Sequence, residues 1–372
     1  MRPYQKHCQQ HDQRHQKGIT LVELMIAMTL SLILIGGMIQ IFSSTKRTFQ
    51  VQQGLSNIQE NARFTLDIIA RDLRMAGFSG CSSDVRIANA LAAPIYMGNL
   101  DLPIVGYETS GGSTYSSPTG VNWTDLPSDI RNLVATTPSG KTYSDIITLR
   151  RTSSAGIGLA EEMADATADI QLVNLSTFQY PESGDIVYLG DCNRGSIFQV
   201  TGITNADPAQ NVVLKHAAGA GTPGNTSTSL FPEEGWSGEA GFDSDAALYN
   251  LSGTSVTYFV APSVVDSNNC EVVLSLWRMA GDDAPQELIP GIESIDIQYG
   301  VDTTDNGVPN RYATANNIDL TVTRDDQGKT SVADNIVSVR VDLTVNSIEN
   351  IDGQDPVNHT FSQTFKVRNL GS

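Results

Sequence analysis

The stretch that decides the fold is Lys17-Gly18-Ile19-Thr20-Leu21-Val22-Glu23-Leu24, which runs on as MIAMTLSLILIGGMIQIF to Phe42. Residues 19–42 carry one charged side chain, Glu23. As a helix rising ~1.5 Å per residue they would extend about 36 Å, enough for a hydrocarbon core of ~30 Å. Residues 1–18 hold Arg2, Lys6, Arg14 and Lys17 against Asp12, a net of +3. A basic flank before an apolar run predicts a cytoplasmic N-terminus and an exported remainder. A cleaved secretory signal is a poor fit, because the apolar run is too long and no small-residue site follows it. A plain anchor fits the length but leaves Glu23 unexplained. A carboxylate deep in a bilayer costs roughly 2.5–3.5 kcal/mol and calls for a functional reason or a position near the interface.

Basic leader, glycine, Ile19-Thr20-Leu21-Val22-Glu23 and an unbroken apolar helix together resemble the class III signal of type IV prepilins. The resemblance implies that prepilin peptidase cuts between Gly18 and Ile19 and that Ile19 is then N-methylated. It also implies that Glu23 sets the register of assembly by pairing with the N-terminal ammonium of a neighbouring subunit. The physics agrees, since a buried carboxylate is tolerable only when paired.

Beyond Phe42 the helical pattern persists. Leu55, Ile58, Ala62, Leu66, Ile69, Leu73 and Ala76 form one apolar stripe, opposite Gln53, Asn57, Glu60, Asp67, Arg71 and Arg74. No proline interrupts residues 19–80. Gly77 suits a C-terminal cap, so the helix is expected to end at Met75–Ala76. The stripe needs a globular partner, although it would also serve a coiled-coil stalk.

From Ser79 the texture turns to β. Strands are expected over 145–150, 185–189, 196–203, 212–214, 255–260, 272–278, 292–299, 318–323, 336–345 and 361–367. Residues 337, 339, 341, 343 and 345 alternate as a half-buried strand does. The expected fold is α+β, a long N-terminal helix packed on a large antiparallel β-rich head. The expected divisions are a leader at 1–18, a membrane and filament-core helix at 19–42, its amphipathic continuation at 43–78 and a periplasmic domain at 79–372. Long loops leave room for a second lobe over about 80–250.

Three patches of the exported part resemble the PilW family of minor pilins: 74–81, the segment around Asp191-Cys192 and Ile197–Thr201, and 291–302. That resemblance implies a role in type IV pilus assembly, within a tip or priming complex. It implies partners among the other minor pilins, the major pilin, the peptidase, the inner membrane and its assembly platform. The implied location is a single-pass inner-membrane protein that passes into the pilus. A minor pseudopilin of a type II secretion system shares the N-terminal motif. A membrane-tethered adhesin using Trp123, Trp236 or Trp277 is a third reading.

The chain has 372 residues and a net charge of −18, so removing the +3 leader leaves −21. Such acidity argues against a nucleic-acid partner. Once Cys8 leaves with the leader, Cys81, Cys192 and Cys270 remain, and the periplasm permits a disulfide. Three pairs are open. Cys81–Cys192 is preferred, since Cys81 lies just past the helix end and could staple the domain to it. Asp302, Asp305 and Asn306, with Thr304 and Gly307, suggest a calcium loop, but Ala313 stands where an EF-hand needs glutamate. A polar turn explains the same residues. No cofactor is otherwise expected.

Enzyme motifs fail. Ala135 replaces the first glycine of a P-loop ending at Ser139-Gly140-Lys141-Thr142, and Glu239 ends a would-be nucleophile elbow. Two histidines, His216 and His359, remain after the leader. The chain therefore reads as a non-enzyme.

Overall fold

The computed structural model describes residues 18–369, apart from 81–84, 94, 95, 97, 110–113, 139–143, 205–210, 220, 233–235, 237–239, 252, 265–271, 305, 326–329 and 349–355. Two compact units divide at Gln53 and Gly54. Helix Leu21–Met75 crosses that division.

In the first unit the helix is apolar all round and exposed. Ile19, Leu21, Leu32, Ile33, Met38 and Phe42 are all more than two-thirds exposed. Its hydroxyls stay inside the helix: Ser31 Oγ donates to Ala27 O at 2.7 Å and Thr29 Oγ1 to Ile26 O at 2.9 Å. Polar groups satisfied this way can enter hydrocarbon.

In the second unit the helix buries one stripe. Ile58, Ala62, Leu66, Ile69 and Leu73 join the largest core cluster, while Leu55 lies exposed at the end of the expected stripe. Gly77 adopts φ of 77°, a left-handed conformation in which glycine bears no Cβ penalty, and the helix stops there. The chain's far end returns to this point. Asn369 Nδ2 donates to Arg74 O and Ala76 O, both at 3.2 Å, meeting carbonyls the helix leaves unpaired.

Two sheets share the main core with the helix. One has six strands, ordered Gln286–Pro290, Leu274–Ala280, Val256–Pro262, Ile146–Leu149, Ile104–Thr109, Tyr115–Ser116. The other has four, ordered Arg311–Ala313, Ile292–Asp302, Asn335–Asn346, Asn358–Lys366. Every pairing in both is antiparallel. The α+β expectation holds.

A five-stranded and a three-stranded sheet supply a second core around Leu189, Phe198, Leu230, Trp236, Phe242 and Leu248. Here one pairing is parallel, between Arg86–Asn89 and Arg194–Gln199. The expected strand 196–203 is broken. Asn225 takes both backbone groups of Gln199, accepting its N–H at 2.8 Å and donating to its C=O at 2.8 Å. The expected strand 318–323 is likewise mostly absent. Residues 315–317 form a 3-10 turn, and Asp319 makes an isolated bridge to Thr119.

Candidate functional site

The N-terminal site forms as follows. Gly18, Ile19 and Thr20 precede the helix in non-helical, exposed backbone. Thr20 caps it, its Oγ1 accepting the Glu23 N–H at 3.3 Å and its carbonyl the Leu24 N–H at 3.1 Å. Cleavage after Gly18 would thus fall in exposed, non-helical chain and leave the capping hydroxyl on the mature protein. Glu23 sits in the first helical turn, where a carboxylate suits the positive end of the helix dipole. It is exposed, and so is the apolar helix that follows. This helix is long and apolar enough to cross a membrane, and among the described residues nothing buries its most apolar stretch.

In the second unit one ionisable group of the helix is buried. The Asp72 carboxylate accepts the Tyr258 hydroxyl at 2.6 Å and lies 3.5 Å from Arg151 and 3.9 Å from Arg278. Asp72 thereby pins the amphipathic segment to two strands of the six-stranded sheet. The apolar stripe gave no hint of it, because position 72 falls beside the stripe and its partners are distant in sequence.

The remaining expected site residues are placed separately. Cys192 is disulfide-bonded and sits in the turn between Ile186–Gly190 and Arg194–Gln199. Cys81 and Cys270 lie outside the described residues. Asp302 accepts the N–H groups of Thr304 at 2.9 Å and Gly307 at 2.6 Å, and Asn306 accepts that of Val308 at 2.9 Å. Burial opposes ionisation of Asp302, yet these N–H bonds outweigh it and hold the carboxyl below its usual range. The carboxylate therefore has a full structural role in a polar turn. Asp305 lies outside the described residues. Among the described residues no group of three or more His, Cys, Asp or Glu is placed to hold a metal ion.

The tryptophans are packed. Trp236 is 1% exposed and stacks on Phe231 at 5.0 Å, and Trp277 donates Nε1–H to Ala261 O at 3.2 Å. Trp123 stacks on Tyr115 at 4.5 Å. Trp236 and Trp277 are buried, and Trp123 is half-buried in a 3-10 turn with exposed neighbours.

Comparison with known proteins bears on both ends of the chain. Residues 13–39 match the prokaryotic N-terminal methylation motif. Residues 257–369, which include all four strands of the four-stranded sheet, match the family described as Type IV Pilus-assembly protein W. A pilin-like protein of Thermus thermophilus, PilA3, is 31% identical over 62 residues, 17% of this chain and 27% of that relative. The match thus spans about a quarter of the relative's length. No solved structure matches the chain. A methylation motif on an exposed apolar helix, followed by a sheet-rich head, makes the chain a type IV pilin-like protein. The C-terminal match is to the PilW family of pilus-assembly proteins.

Proposed function

We propose that this protein is a low-copy structural subunit of a type IV pilus, added within a complex of minor pilins that primes assembly at the tip. The apolar helix carries this reading. Its apolar first half has no cover among the described residues, it starts with the motif for cleavage and methylation, and it bears one carboxylate near its start. In the inner membrane lipid covers it; in a filament, neighbouring helices do. Glu23 then meets the ammonium of Ile19 on an adjacent subunit, and relief of two unpaired charges fixes the register. The peptidase, the major pilin and the assembly platform follow as partners.

Mass spectrometry of sheared pili tests the reading. The expected result is a peptide beginning at N-methylated Ile19. Finding only uncleaved chain, confined to the membrane, would overturn it. Glu23→Val should insert into the membrane normally yet fall at least tenfold in sheared filaments. Undiminished incorporation would remove Glu23 from the register role.

A further inference from the structure

The head manages its sheet edges by keeping them short, with one exception. The outer strands of the five-stranded sheet have 4 and 2 residues, and those of the three-stranded sheet have 3 each. The six-stranded sheet ends in strands of 5 and 2 residues, and Asn61 Nδ2 caps the longer at Pro290 O, 3.2 Å away. In the four-stranded sheet one outer strand has 3 residues and the other, Asn358–Lys366, has 9.

This long edge lacks the usual protections against pairing. Its sequence, NHTFSQTFK, holds no proline, and its one fixed charge is at the last position. It pairs with Asn335–Asn346 in unbroken register from Asn346↔Asn358 to Ser338↔Lys366, so no bulge turns it aside. Seven of its nine residues are exposed, and no described strand lies on its outer side. Nine residues present about 30 Å of half-paired backbone at ~3.3 Å each. One face carries a hydroxyl row, with Thr360 at 3.0 Å from Thr344 and Ser362 bonded to Asp342. On the other face Phe361 is only half-buried and meets His359 edge-to-face at 4.7 Å.

We infer that the edge Asn358–Lys366 accepts a β-strand from a different subunit of the pilus, extending the four-stranded sheet across the subunit boundary. Backbone hydrogen bonds supply the affinity, as in other strand additions. Charge decides against a second copy. Residues 76–372 contain 14 basic and 36 acidic side chains, a net of −22 that repels another head of the same kind. The strand's one fixed charge is Lys366 but the head around it is strongly acidic, so the partner is a strand without a run of acidic side chains. It would offer small polar groups to the hydroxyl row and an apolar residue to cover Phe361. The inference rests on the pilus reading.

Photo-crosslinking in piliated cells tests it. A benzoylphenylalanine at Thr364 of the full-length protein should give an adduct whose mapped peptide is a strand of another pilin subunit. The double variant Thr360→Lys with Gln363→Lys should lower that adduct at least tenfold, since both positions are exposed and lysine guards an edge. Its unfolding midpoint should stay at the wild-type value, separating a blocked edge from a damaged fold. An adduct between two copies of this chain, an adduct outside any strand, or no adduct from protein present in filaments would each overturn the inference and leave the pilus reading standing. Absence of the protein from filaments would instead overturn that reading.

Discussion

Asp145 sits where a negative charge is costly. It is 4% exposed, at the start of strand Ile146–Leu149, and burial first, then the nearby charge of Glu108, push its pKa up to about 7. Hydrogen bonds from the Ile297 N–H at 2.8 Å and the Thr109 N–H at 3.1 Å act the other way and lose. Glu108 and Asp296 are raised too, burial being the main cause in both. The unfolded chain titrates near ~3.9, so the folded head holds more protons between about pH 4 and 7. Its stability therefore falls as pH rises through that window and levels off above it. Denaturant titrations of the whole protein in detergent at pH 4.5, 6, 7.5 and 9 should show this decline. Asp145→Asn should flatten it, although the amide cannot accept both N–H bonds and some stability is lost at every pH. An unchanged slope in the variant would show that Asp145 is not the titrating group.

At the scale of elements, the long helix was the most legible part of the chain. Apolar spacing of three and four residues named its buried stripe from Ile58 to Ala76, and Gly77 marked its end. Strand 335–346 was equally plain, because five alternating apolar residues have only one β reading. Elements held by distant partners were not visible. The strand Ile104–Thr109 contains Gly106, an unpromising residue until Tyr299 is seen packed over it. The short helix Ser128–Ala135 offers only Ile130 and Val134 to the core. The break at Gln199 depends on Asn225, a side chain from another loop. The candidate site divides along the same line: the cleavage motif is contiguous and was readable, whereas the Asp72 cluster joins positions nearly two hundred residues apart. The helix stripe yields its own test. Leu73 is fully buried beside the cap, so Leu73→Ala should cost about 2–5 kcal/mol. Solvent denaturation should show it, with membrane insertion unaffected; a loss below about 1 kcal/mol would mean that the helix end contributes little to the core.

At the scale of the molecule, a Cys81–Cys192 disulfide would tie the helix end to the second core. Residues on both sides of position 81 converge on the turn that holds Cys192. Gly80 packs against Tyr249, whose strand neighbours Tyr188, and the Arg86 N–H donates to Asn193 O at 3.3 Å. This supports Cys81–Cys192 as the proposed pair. Peptide mapping of the unreduced protein should recover it, and Cys81→Ser should lower stability by about 2–5 kcal/mol. Recovery of Cys192 linked to Cys270 would replace that assignment.

The clasp of Asn369 on the helix end also has a consequence in time. During synthesis the apolar helix emerges early, and strand Asn358–Lys366, which closes the core, emerges late. Phe365 and Val367 share one core with Ile58, so the helix gains these partners only after residues 358–367 have been made. Until then the core around its apolar stripe is incomplete. Contacts so distant in sequence form slowly. A chain cut short of residue 358 would keep the apolar helix and lack this clasp.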